Sequence, residues 1–311
     1  MEYTKPALTY DQQADLAISK GLGADRDELV ACLESIGYYR LSGYWHILKD
    51  PATGLFHGNA TLGRVLDLYS FDRRLKLLVF DAVERVEVYL RSQLAYELAY
   101  EGGPFGYLRP ESLPNLDGPA YDGLMSRCRK SFKRSREPFA LHFKQTYGDH
   151  HELPPYWMRV NMMDFGMVFT LYRGAPNPVR KKIASSLGVA PRVLDSWLLA
   201  INTTRNICAH HGRLWNRVLG TRALVPRAKN DSRWHTPYEV ETDRPFVVLT
   251  VLSCLLETIA PDCGWQARLL ELVSTRSAAD LERMGFTDGW ELCPLWARWA
   301  AGFEDVAVPT R

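Results

Sequence analysis

"YSFDRRLKLLVFDAVERVEVYLRSQLAYELAY", residues 69–100, decides the fold class. Leu75, Leu78, Val79, Ala82, Val86, Tyr89 and Leu90 recur at three- and four-residue spacing and form one apolar stripe of an α-helix. Glu97 falls on the same side, so the stripe weakens towards the C-terminal end. Glu84, Glu87 and Arg91 fall on roughly the opposite face, taking about 100° per residue. Glu87 and Arg91 form an i, i+4 pair, worth only a few tenths of a kcal/mol on an exposed helix.

The same periodicity extends outward. Residues 9–45, "TYDQQADLAISKGLGADRDELVACLESIGYYRLSGYW", read as helix, turn, helix and an aromatic segment. Thr9 or Asp11 suits the first helix start, and Asp25 or Asp27 the second. A helix-turn-helix that reads DNA fits this outline, as does any pair of short helices. Residues 101–119 are dense in Gly and Pro and read as a loop. Residues 126–145 carry six Lys/Arg before Glu137, then Phe139, His142 and Phe143. Basic and aromatic side chains together suit RNA, and a solvated helix has the same composition. Three helices follow, ending near Gly174, at Gly188 and at Gly212. Residues 245–261 are apolar and long enough for a buried helix, and residues 262–311 read as two or three short helices anchored by Trp265, Trp290, Trp296 and Trp299. The expected fold is all-α.

Composition excludes less than pattern does. Hydrophobic residues make up 46% and charged residues 24% of 311, enough for a sizeable core. With 38 basic and 36 acidic residues the net charge of +2 does not by itself point to an anionic partner. The six cysteines are scattered without a CxxC, so no zinc site is expected, and free thiols in a reducing cytoplasm are. The N-terminal segment lacks the pattern of a secretion signal and no apolar run reaches membrane length, so a cytoplasmic protein is expected. His150 and His151 beside Glu152 read as surface loop, and no phosphate loop is present.

Residues 204–217, "TRNICAHHGRLWNR", hold three arginines, two histidines, two asparagines and a tryptophan. The stripe Leu194–Trp197–Leu198–Ile201 continues by four to Arg205, where a charge is costly unless it is paired or faces a ligand. Asn206 and His210 stack at i, i+4. Arg205 and His210 are about 140° apart on an ideal helix, so one straight helix does not converge them. A second subunit or the helix end would have to close that gap. Cleaving RNA without a metal needs a group that titrates near neutrality and a fixed cation for the phosphorane. His210 and Arg205 supply these, and Asn206 can orient either one. A capped helix end that buries Trp215 is the alternative, and it suits Arg213 and Arg217 better than Arg205.

"RNICAHHGRLWNR" resembles the R-N-x-x-x-H form of the HEPN ribonuclease motif. With "IGYYRLSGYW", "FDRRLKLLVFDAVERVEVYLRSQLAY", "PPYWM", "LYRG" and "DGWELCPLW" in this order, the chain resembles Abi-like proteins, the AbiD/AbiF-type abortive-infection proteins of bacteria, over roughly residues 5–298. The resemblance implies a HEPN-like helical bundle at 66–220, with an N-terminal helical arm at 1–65 and a C-terminal helical extension at 221–311. It implies a toxin-type anti-phage protein that cleaves RNA as a homodimer, without metal or cofactor, in some cases paired with a small noncoding RNA. Catalysis falls to Arg205, Asn206 and His210, supported by Glu87, Arg91 and His211. RNA binding falls to Arg127, Arg129, Lys130, Lys133, Arg134, Arg213 and Arg217. The alternative is a non-catalytic RNA-binding protein on the same scaffold.

Overall fold

A computed structural model describes residues 2, 4, 6–235 and 240–300. Fourteen α-helices and several 3-10 turns form the described chain, which contains no β-strand, only two isolated bridges. The expected all-α fold is present. Contacts divide the chain into two units, 1–76 and 77–311.

The first unit holds α1 (Tyr10–Ser19), α2 (Arg26–Ile36), α3 (Tyr38–Trp45) and the opening turns of α4 (Leu62–Gly102). Thr9 caps α1 in a reciprocal box with Gln12, and Asp25 caps α2 through the Glu28 N–H. Each cap satisfies donors that a helix start leaves open. The aromatic segment is itself a helix, and Tyr44 and Trp45 are core rather than surface. Trp45 meets Tyr38 and Phe56 edge-on at 5.2 and 5.9 Å. Asp72 is fully buried, and it takes a hydrogen bond from Tyr44 Oη at 2.7 Å and an ion pair from Lys76 at 3.0 Å. A buried carboxylate needs such partners, so this is a polar lock on the start of α4.

The second unit holds the rest of α4 and α5 (Gly118–Arg134), α6 (Pro138–Tyr147), α7 (Tyr156–Arg159), α8 (Phe165–Gly174), α9 (Asn177–Ser186) and α10 (Pro191–Ala209). It continues through α11 (Pro245–Ile259), α12 (Trp265–Val273), α13 (Ala278–Glu282) and α14 (Ala297–Ala300). α10 packs against α8, α9 and α11. α11 is buried along nearly its whole length, as its unbroken apolar sequence requires. Trp265 donates to the Leu78 carbonyl at 2.8 Å, and Trp296 donates to Thr250 Oγ1 at 3.1 Å. Trp299 is only half-buried, and residues 301–311 of the expected tail lie outside the described residues. No described helix is long and apolar enough to cross a membrane.

Two sequence expectations need correction. α4 starts seven residues before Tyr69, and its Glu87 and Arg91, on the face opposite the stripe, are half-buried. The cause is the Met163 carbonyl, which covers that side and accepts from Arg91 Nη2 at 2.6 Å. The second correction is that α10 ends at Ala209, before Gly212. Glu97, on the weakening stripe, is buried and held by Lys182 Nζ at 2.7 Å.

Candidate functional site

α10 starts on Pro191, whose missing N–H costs nothing in the first turn, and buries Leu194, Trp197, Leu198, Ile201, Thr204 and Cys208. At its other end the backbone closes on itself. His210 N–H donates to the Asn206 carbonyl at 3.0 Å, His211 N–H to Cys208 at 3.0 Å and Gly212 N–H to Ile207 at 2.8 Å. The last two bonds are the Schellman pattern, which requires a left-handed residue just past the cap. Glycine usually takes that position; here His211 does, at φ 57°, the one non-glycine residue with positive φ among those described. Gly212 is needed for a different reason. A Cβ there would lie 3.1 Å from both the Ile207 carbonyl oxygen and Ile207 Cγ2.

This ending exposes both histidines, and buries Leu214 and Trp215 just beyond them. Arg205 is half-buried, and its Nη1 donates to Asn206 Oδ1 at 3.3 Å. No hydrogen bond or ion pair among the described residues joins the His210 ring to Arg205 or Asn206. The structure therefore brings two of the three candidate catalytic side chains together within one chain and leaves the histidine beside them, past the helix end.

Asp164 is the residue that sequence reading missed. It caps α8, accepting from the Met167 N–H at 2.9 Å, and takes Arg127 Nη2 on both oxygens at 2.8 and 2.7 Å. Burial pushes its carboxyl up. Arg127, the Met167 N–H and the charges of Arg127 and Arg205 outweigh this, and hold it below the usual carboxylate value. Arg205 thus lies in the field of a fixed carboxylate. Gly166 completes the corner, because a Cβ there would lie 3.2 Å from Asp164 Oδ1 and 3.9 Å from Asn202 Oδ1 on α10. Arg91 bonds both Glu87 and the Met163 carbonyl, one residue before Asp164. Four elements, α4, α5, α8 and α10, so meet around residues 163–166. The Asp before an apolar helix in "MMDFG" was legible as a cap, whereas its arginine partner, 37 positions away, was not.

The candidate RNA-binding residues divide. Arg127 is tied to Asp164, and Arg129 Nε donates to Glu152 at 2.7 Å. Lys130, Lys133 and Arg134 are exposed on α5, with no carboxylate partner among the described residues, opposite a buried face of Leu124, Met125, Cys128 and Phe132. Arg213 is half-buried and Arg217 exposed. His151 stacks on Phe105 at 4.3 Å, which accounts for its place in the loop. Among the described residues no three His, Cys, Asp or Glu side chains gather as a metal-holding group.

Comparison with curated proteins gives no match. Comparison with solved structures gives none either. The family model described as Abi-like protein matches residues 31–216, which run from α2 through the end of α10 to Asn216. That span is more than half of the chain and contains every part of the corner described above, so the chain belongs to the Abi-like protein family, a family of abortive-infection defence proteins.

Proposed function

We propose that this defence protein acts as a metal-independent endoribonuclease of the HEPN type. The observation that carries the reading is the Arg205–Asn206 pair in the last turn of α10, with exposed His210 immediately beyond it. His210 takes the proton of a ribose 2′-OH, whose oxygen then attacks the adjacent phosphorus. Arg205, held by Asn206, bears the charge of the phosphorane. The bond from phosphorus to the 5′-oxygen breaks, that oxygen takes the proton from the His210 imidazolium, and a 2′,3′-cyclic phosphate is left. A homodimer would place two copies of residues 204–217 in one cleft and offset the angular gap between Arg205 and His210. Light scattering tests this, since a fully active monomer at micromolar concentration would remove the composite site.

Incubation of the purified protein with total RNA and tRNA in EDTA, beside His210→Ala, tests the reaction. Cyclic-phosphate ends from the wild type alone are expected. Cleavage lost in EDTA and restored by Mg²⁺ would overturn the metal-independent mechanism.

One observation favours a second reading, a non-catalytic binder of RNA such as a small noncoding RNA. Catalytic histidines are ordinarily oriented by a hydrogen bond to the other ring nitrogen, and among the described residues the His210 ring has none. Arg205→Ala separates the two. Retained affinity with lost cleavage supports the enzyme, and loss of affinity with no cleavage in the wild type supports the binder.

A further inference from the structure

A groove of about 500 Å³ lies along the C-terminal half of α4, facing α7. Its floor is small side chains, Ala95 and Ala99, Val88 and Ser92 are exposed along it, and Tyr96, Tyr100 and Trp157 stand at its rims. The three rim residues are 56%, 78% and 52% exposed, and the tyrosine ring centroids stand 4.7 Å apart. Three large open rings around one concavity mark a binding surface rather than a packing accident. One end of the groove is lined by Arg91. Its Nη2 is committed to Glu87 and Met163, while its Nε is buried without an acceptor. The buried Nε is out of a ligand's reach, and Nη1, which makes no hydrogen bond among the described residues, is the donor left for an anionic oxygen.

The shape and chemistry narrow the occupant. The volume falls in the range of small-ligand pockets. Flat aromatic rims above a floor of small residues suit a planar heteroaromatic ring, and a guanidinium at one end suits a phosphate attached to that ring. Arg91 also links the groove to the candidate site, because it lines the one and bonds the Met163 carbonyl beside Asp164 in the other.

We infer that this groove is a base-binding subsite for single-stranded RNA, in which one unstacked base lies against Tyr100, Tyr96 and Trp157 while a neighbouring phosphate meets Arg91. The inference rests on the ribonuclease reading for its substrate class. It adds that cleavage requires an unpaired base at a fixed step from the scissile phosphate.

The test uses the full chain and labelled 2′-O-methyl pentanucleotides, which bind but cannot react through a 2′-OH. One set is intact and the other carries a central abasic site. Fluorescence anisotropy should show that Tyr100→Ala and Trp157→Ala each weaken the intact oligonucleotide about tenfold, from the usual worth of base stacking. Trp157→Phe, which keeps a ring, should restore most of the loss. The abasic oligonucleotide should bind weakly and respond to none of the three. Equal binding of intact and abasic oligonucleotides would overturn the subsite, as would full affinity in both alanine variants. So would conversion of a dimer to a monomer by Tyr100→Ala with affinity unchanged, which would make the groove a self-association face. Cleavage of the matching all-ribose pentanucleotide is scored separately. Base-dependent binding without cleavage leaves the subsite standing and removes the ribonuclease reading, whereas cleavage without base dependence does the opposite.

Discussion

α5 and the end of α10 both concentrate positive charge, yet they hold it differently. On α5, Lys130, Lys133 and Arg134 stand in solvent above a buried apolar face. At the end of α10, Arg205 is half-buried against Asn206 and lies in the field of Asp164, and the backbone beyond it is closed by three hydrogen bonds. Solvated charges attract a polyanion from any direction; a held charge can favour one geometry of it. Charge density in a sequence does not distinguish the two, because what differs is the set of partners. Arg127 makes the point within a single helix, since it lies on α5 but belongs by its ion pair to the α8–α10 corner.

The contrast can be broken most sharply at His210. His210→Ala should lower single-turnover cleavage by about a hundredfold or more while sparing RNA affinity. Replacing Arg129, Lys130, Lys133 and Arg134 together by Ala should do the reverse. Affinity should fall and its salt dependence flatten by roughly 0.7 in log–log slope per lost phosphate contact, with turnover at saturating RNA nearly unchanged. If each variant loses affinity and rate together, the two regions do not divide the work.

Asp164→Ala is a smaller perturbation that sharpens the comparison from the other side. It removes a helix cap and the partner of Arg127, and should cost about 1 kcal/mol in thermal or urea unfolding. The sign with pH follows from a carboxyl held below its usual value. The stabilisation is complete above the unfolded value near 4, and is lost as pH falls through the lower folded value. The stability gap between wild type and variant should therefore be constant at neutral pH and close only in acid. A gap that instead closes on raising the pH would remove the ion-pair account. The smallest effect belongs to His211→Gly. Relief of the left-handed backbone is partly offset by the entropy of an added glycine, for a gain of at most about 1 kcal/mol. A thermal melt checks it, and a loss of stability would mean that the His211 side chain contributes more than its backbone costs.

Local signals were legible in the sequence, and partners distant along the chain were not. Thr9 and Asp25 announced their helices, and the stripe from Leu194 to Ile201 announced α10, because caps and periodicity act within a few residues. The 204–217 cluster stood out by residue type, and the family match ends just past its tryptophan. The covering of Glu87 and Arg91 was not legible, because a periodic stripe reports only one packed side. α4 is approached on another side too, by the Met163 carbonyl on Arg91. Asp164 was invisible as part of the site for the same reason. Its cap is local, and its arginines come from two other helices.

The closed end of α10 also has a consequence for motion. Amides in the last turn of an ordinary helix exchange quickly with solvent because the turn frays. Here the His210, His211 and Gly212 amides are all bonded back into the helix, so deuterium labelling should place the slow-exchanging boundary after Gly212 rather than at Ala209. An imidazole mounted on a fraying end would be reset by each opening. On this end the three bonds should hold its Cα between openings, so that the ring searches its own side-chain rotamers, a search of nanoseconds or less that is complete long before any slow chemical step.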